Sequence, residues 1–314
     1  MKDRNNIALS HTPMVTVSLP VLNGGLYLEG AIKSILKQSL TDWELLLIDD
    51  GSTDGAIERL PFLNDTRIIV VRDGLNRGLS FRLNQSVVMA RGRYFARMDH
   101  DDISHPERLA RQVAFLENNP QVDLLATQCV TMDEQDRLIG VLPYATNHSD
   151  ICRRPWQGFH MAHPTWMGKK EWFVRNPYLE PAPYCCEDQE LLLRTYRSSC
   201  FHTIPSRLLA YRVRTYTPWQ KQFRTRTSMG NMQVQHFFSH GKLKYALLSW
   251  LIKLVRIAYD GLEKIIQLAA LSTNRALKSN LSHKECLEWE DLLRSLKRTT
   301  DDVNIEAVDV KIKK

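Results

Sequence analysis

No two cysteines stand in C-x-x-C spacing, and no G-x-G-x-x-G follows the first apolar run. These absences argue against a zinc knuckle, a disulfide framework and a dinucleotide-binding fingerprint. The six cysteines, Cys129, Cys152, Cys185, Cys186, Cys200 and Cys286, instead read as reduced, mostly buried thiols. Uninterrupted apolar runs are also missing. The longest candidate, "KLKYALLSWLIKLVRIAYDGLEKIIQLAALS", is broken by Lys253 and Arg256 and is too charged to span a bilayer. "MKDRNNIALSHTPM" turns polar almost at once, so no secretory leader and a cytoplasmic location are expected. Acidic residues are the scarcer charge, 35 against 42 Lys and Arg, giving +7. Much of that surplus lies in the C-terminal third, which favours a membrane surface or an anionic substrate over a nucleic acid.

What is present is an apolar share of 43%, enough for a substantial core. The first half alternates short β-branched runs with helical patterns, the signature of a parallel sheet covered by helices. "MVTVSLPVL", "DWELLLIDD", "TRIIVVRD" and "RYFARMD" read as strands. Between them "LYLEGAIKSILKQSL" and "SFRLNQSVVMARG" read as helices, the first with Leu28, Ile32, Ile35 and Leu36 at helical spacing. "HPERLARQVAFLENNP" is a further helix, with Pro106 in its first turn. Beyond residue 120 a hairpin is expected around Glu134 to Asp136, loops and short pieces from Trp156 to Pro183, a helix at "CCEDQELLLRTYRS" and a last strand at "RLLAYRVRTY". A long helical run over "KLKYALLSWLIKLVRIAYDGLEKIIQLAALS" and a second around "HKECLEWEDLLRSLKR" complete the chain. The long run either packs on the main domain or lies on a membrane as an amphipathic element, with Trp250, Leu251, Leu254 and Ile257 among lysines and arginines.

In an open α/β sheet, ligands sit outside the C-terminal ends of the strands. Two acidic clusters are expected there: Asp49-Asp50 after the second strand, and Asp99, Asp101 and Asp102 after the fourth. Clustered carboxylates repel one another and resist desolvation unless solvated or neutralised by a cation. On an extended strand Asp99 and Asp101 would share a face and aim at one ion. Oxygen ligands select Mg²⁺, Mn²⁺ or Ca²⁺ over zinc, and the glycine and terminal glutamate of an EF-hand are missing. Glu187-Asp188 opens a helix, where acids are common anyway; near the metal cleft Asp188 would be a candidate general base.

"VSLPVLNGGLYLEGAIKSILKQSLTDWELLLIDDGSTD", "NRGLSFRLNQSVVMARGRYFARMDHDD", "HPTWMGKKEWF" and "EDQELLLR", in that order from about Met14 to Arg212, resemble the family 2 glycosyltransferases with the GT-A nucleotide-sugar fold. The resemblance implies a Rossmann-like, mostly parallel sheet flanked by helices, a nucleotide-diphospho-sugar donor, Mg²⁺ or Mn²⁺, and inverting transfer. By that resemblance Asp50 accepts the N3–H of uracil, Pro20 and Asn23 wall the nucleotide, and Asn76 and Arg77 contact base or phosphates. Asp99-x-Asp101 matches the metal and ribose motif, with Asp101 or Asp102 as direct ligand, and Asp188 matches the catalytic base. Many members end the last strand with tyrosine-arginine-x-histidine; here Arg214 stands at the histidine position. The Q-x-x-R-W motif of processive synthases is missing around "PWQKQFRTR", so transfer of a single sugar to a glycan or lipid-linked glycan is expected, with no nucleic acid partner.

The expected organisation is a flexible N-terminus over 1–13, a glycosyltransferase domain over 14–215, a C-terminal helical region over 216–300 and a tail over 301–314. The helical region would offer peripheral contact with the inner face of the cell membrane. Two rivals are a silent sugar-nucleotide or membrane-surface binding protein of the same fold and a haloacid-dehalogenase-like phosphatase. The latter needs an acid two positions after its nucleophilic aspartate, and Asp49 is followed by Gly51. His163 is either an acceptor contact or a packed loop histidine, and Trp156, Trp166 and Trp172 serve either sugar stacking or the core.

Overall fold

Two apolar heptapeptides, VTVSLPV and WELLLID, set the centre of the fold: all fourteen of their residues are buried, as strands covered on both faces must be. They form β1 (Val15–Val21) and β2 (Trp43–Asp49) in a computed structural model that describes residues 11–214, 216–268 and 281–297. The expected flexible N-terminus up to residue 10 and the tail over 301–314 lie outside the described residues. Helix α1 (Tyr27–Leu36) connects β1 to β2 by burying Leu28, Ala31, Ile32 and Ile35. Next come β3 (Ile68–Arg72), α2 (Leu79–Met89), β4 (Tyr94–Arg97), β5 (Ile103–Ser104) and α3 (Arg108–Asn118).

The second half supplies β6 (Leu124–Met132), β7 (Leu138–Val141), α4 (His148–Ile151), β8 (Met167–Lys169), α5 (Lys170–Arg175), α6 (Glu187–Thr195) and β9 (Phe201–Arg212). The described strands make one sheet in the order β3-β2-β1-β4-β8-β6-β9-β5, with β7 pairing β6. Its long ladders are parallel: β1 with β2 and β4, β2 with β3, and β6 with β9. The antiparallel pairings, β4–β8, β6–β8, β6–β7 and β5–β9, are short. The chain is thus a mixed α/β fold with a mostly parallel sheet. The hairpin expected near Glu134 is the β6–β7 turn, where Asp136 adopts φ 63°.

A buried polar clasp fixes β1 against its neighbours. Thr16 Oγ1 donates to Glu44 Oε1 at 2.6 Å and accepts from Gly92 N at 2.8 Å, while Glu44 also receives Arg91 N and Nε. A Cβ at Gly92 would lie 2.3 Å from Thr16 N, so only glycine brings this loop close enough.

Three helices follow: α7 (Trp219–Ser239), α8 (Leu243–Leu268) and α9 (His283–Leu296). Helices α7 and α8 form an antiparallel hairpin in which Gly230 lets the Lys253 stem lie flat on α7. Helix α9 begins with a Ser282–Glu285 capping box and returns to the sheet, burying Trp289, Leu293 and Leu296 beside Ile103, Val130, Met132 and Ala210. At roughly 1.5–3 kcal/mol for each large apolar side chain buried, those three residues anchor the C-terminal helix beside the acidic loop.

Candidate active site

β1 lies between β2 and β4 in parallel register, with Val21 opposite Asp49 and Ser18 opposite Arg97. Asp49-Asp50 and the Asp99–Asp102 loop therefore emerge at the same edge of the sheet. Pro20, Asp50, Asn76, Arg77, Asp99 and Glu187 line one cavity of about 790 Å³, a volume typical of small-molecule sites. Asn23, Asp101, Asp102 and Asp188 are not among its lining residues.

The Asp50 carboxylate is built into the wall. Oδ1 accepts from Arg77 N at 2.8 Å and from Arg82 Nε at 2.9 Å, and Gly78 N donates at 3.1 Å to Oδ2, which keeps acceptor capacity. Gly51, at φ 84°, lets this strand end touch the Asn76–Arg77 turn; a Cβ there would meet Asn76 N at 3.0 Å. Asn23, also at positive φ, acts on the loops: its Oδ1 accepts from Thr53 N and its own N–H donates to Ser52 Oγ. Arg82 was not legible as a site residue. Its fully buried guanidinium joins Asp50 to Asp73 at 2.6 Å, which holds the Asp73 carboxyl well below the usual range.

The acidic loop differs from the extended strand expected from sequence. β4 ends at Arg97, and Asp99 to Asp102 form a turn, so the carboxylates converge by folding back and not by strand alternation. One oxygen from each of Asp99, Asp101 and Asp102 lies within 4.8 Å of the others. Asp102 is buried; its Oδ1 accepts from Arg212 N, while Oδ2 is without a hydrogen-bond partner. Burial, then Asp99 and Asp101, push the Asp102 carboxyl well up, and burial with Asp99 raises Asp101. Clustered hard oxygens with an orphaned lone pair fit a divalent cation such as Mg²⁺ or Mn²⁺.

Two further arginines frame this turn. Buried Arg97 grips Asp99 through both terminal nitrogens, at 2.5 and 2.6 Å. Arg212 ties the turn to its surroundings: Nε donates to Asp101 O, one terminal nitrogen to Asp133 O and the other to Asp136 Oδ1, with the guanidinium 4.1 Å from the Tyr27 ring centre. Arg214, at the family's histidine position, is exposed two residues beyond β9.

Across the cavity, Glu187 and Asp188 occupy the first turn of α6. Burial and the neighbouring Asp188 push Glu187 up to about 7. Asp188 is raised as well, chiefly by burial, against the donation of Gln189 Nε2 to its Oδ2 at 3.1 Å. The other Gln189 contacts, with Phe159 N and O, hold that amide in place. His163 is a packed residue: it is buried, bonds Tyr178 Oη at 2.8 Å through Nε2 and stays neutral because burial lowers its pKa well below the ordinary value. Trp166 and Trp172 belong to the core, and partly buried Trp156 packs on Tyr245.

The family model described as Glycosyl transferase family 2 matches residues 16–175, just over half of the chain. The chain belongs to glycosyltransferase family 2. This family 2 chain is 37% identical over 106 residues to TuaG of Bacillus subtilis, named for teichuronic acid biosynthesis, covering 33% of the chain and 44% of TuaG. It spans 45% and 20% of the length of two further relatives, from B. subtilis and Dictyostelium discoideum, at 38% and 33% identity. Its fold is similar to that of S. aureus TarS 1-349 in complex with UDP-GlcNAc, with a TM-score of 0.59, 16% identity and coverage of 90% of this chain and 80% of that one. It is also similar to the mannosyltransferase PcManGT from Pyrobaculum calidifontis in complex with GDP-Man and Mn²⁺, with a TM-score of 0.53, 19% identity and coverage of 91% and 86%.

Proposed function

We propose that this protein is an inverting glycosyltransferase that moves one sugar from a nucleotide-diphospho-sugar, with uridine as the favoured base, to a hydroxyl of a glycan or lipid-linked glycan during cell-surface polysaccharide or lipopolysaccharide assembly. The observation that carries this reading is the single cavity into which Asp50 with the Asn76–Arg77 turn, the Asp99 loop and Glu187 converge. Family membership and the teichuronic acid biosynthesis in TuaG's name support it, as do UDP-GlcNAc in TarS and GDP-Man in PcManGT. Six free cysteines suit a cytoplasmic enzyme.

The chemistry follows from where charge sits. Asp50 and the Asn76–Arg77 turn would hold the nucleotide, and Pro20 would wall it. Asp188 accepts the proton of the acceptor hydroxyl as that oxygen attacks the anomeric carbon from the face opposite the leaving group, so configuration inverts in one displacement. Asp99, Asp101 and Asp102 would hold a divalent ion, which supplies positive charge against the departing diphosphate. Arg97 and Arg212 keep that loop folded with its carboxylates together.

The loop makes a direct test. Replacing Asp101 and Asp102 together by Asn should weaken Mn²⁺-supported binding of uridine diphosphate by about tenfold or more, measured by isothermal titration, because the ion and diphosphate bind as a unit. An affinity equal to that of the unaltered protein, with and without Mn²⁺, would remove these residues from the donor site.

A further inference from the structure

Helix α8 shows two unlike faces. Ala246, Ser249, Arg256 and Asp260 point into the protein, with Arg256 donating to Gln157 O and Asp260 pairing with Arg226 of α7. The opposite side presents Leu243, Leu247, Trp250, Leu251, Leu254, Val255, and onward to Tyr259 and Leu262, each 42–66% exposed. Their spacing places them on about half of the helix circumference, a continuous apolar stripe far wider than scattered surface leucines. No described helix is long and apolar enough to cross a membrane, so this stripe meets its partner from the side.

Charge identifies the partner. Residues 219–268 carry eight Lys or Arg and two acids, Asp260 and Glu263. Asp260 is buried and spent on Arg226, whereas Lys221, Arg224 and Lys244 are exposed. A basic hairpin with one apolar face matches an anionic bilayer, into which the stripe inserts while the cations meet the headgroups.

We infer that the α7–α8 hairpin docks this protein on an anionic membrane surface through the Leu243–Leu262 stripe, and that this docking places the mouth of the donor cavity next to the bilayer. The stripe leads to that mouth. At its far end Trp219 of α7 lies over Gly261, one residue from Leu262. One turn further along α7, Arg224 stacks 4.2 Å above Tyr184, which lines the donor cavity. Exposed Phe223 extends the apolar surface between them. The second half of the inference rests on the proposed function, since a lipid-linked acceptor held in the bilayer would reach Asp188 along this path.

Flotation of the full chain with phosphatidylglycerol vesicles, set beside phosphatidylcholine vesicles, tests it. The unaltered protein should float with the anionic vesicles at low salt, and bound protein should fall by about tenfold as salt is raised or when Leu247, Leu251 and Leu254 are all changed to Glu. Lys221→Glu with Lys244→Glu, which leaves the stripe intact, should weaken binding less. Sugar transfer to a water-soluble acceptor should be unchanged in the triple variant, and transfer to a lipid-linked one should drop. Absence of flotation at any salt overturns the inference, and so does a dimer that the triple variant dissociates without any vesicle binding. If no sugar is transferred to either acceptor while flotation persists, the reading of the cavity fails and the membrane face stands.

Discussion

Asp188→Asn should lower kcat by about a thousandfold, inside the range general base catalysis usually contributes, with uridine diphosphate affinity changed by less than about twofold. The amide matches the carboxylate in size and can still take the Gln189 contact, so the first turn of α6 keeps its shape. What disappears is the acceptor for the hydroxyl proton. The pH profile should carry the same signature. A base works only when ionised, and burial raises Asp188, so the acidic limb of kcat should sit above the ordinary aspartate range. Glu187 is pushed up to about 7 by burial and by Asp188, and the two carboxyls titrate as a pair. Glu187 is the higher of the two and is still protonated where Asp188 ionises, so Glu187→Gln removes no charge there and should leave that limb nearly in place. Single-turnover kinetics from pH 5 to 9 measure both effects; a wild-type rate for Asp188→Asn would reassign the base, with cavity-lining Glu187 next in line.

The second large effect is on stability. Arg82→Ala should cost about 3 kcal/mol, because it leaves the buried Asp50 carboxylate without its guanidinium partner. For a domain of this size that is a fall of about 10 °C in Tm, read by thermal denaturation. Arg82→Lys keeps the charge but cannot reach Asp50, Asp73 and Leu75 O together, so it should recover only part of the loss. Nucleotide affinity should drop as well, since Asp50 and the Arg77–Gly78 turn are held through the same contacts. A Tm within about 2 °C of the parent would mean that the buried pair is neutral here.

The first half of the fold was readable because β1 and β2 are continuous apolar runs and α1 repeats its apolar residues at helical spacing. The acidic clusters were readable for a related reason: charge at the end of a buried strand demands a partner. The basic members of the site carried no such mark. Arg82 reads as an ordinary helix residue and Arg97 as the last residue of a strand, and only packing shows both to be buried against carboxylates. Arg212 lay inside the recognised last strand, yet its contacts reach Asp101, Asp133 and Asp136, which are distant in sequence.

Helix α7 falls within the expected helical region over 216–300, but its Gln, Thr and Arg leave no apolar period to mark its ends; it is held by α8 lying across Gly230. β8 is three residues long and exists by pairing with β4 and β6, which no local pattern announces. The return of α9 to the sheet beside Ile103 depends on contacts across more than half of the chain.

Release of nucleoside diphosphate over a panel of sugar donors, with the anomeric configuration of the product read by NMR, tests the central claim most directly. The expected result is release from a uridine diphospho-sugar when Mn²⁺ or Mg²⁺ and an acceptor are present, an inverted product, and loss of both on chelation or in Asp188→Asn. Hydrolysis of phosphomonoesters, a product with retained configuration, or tight donor binding with no turnover would contradict it.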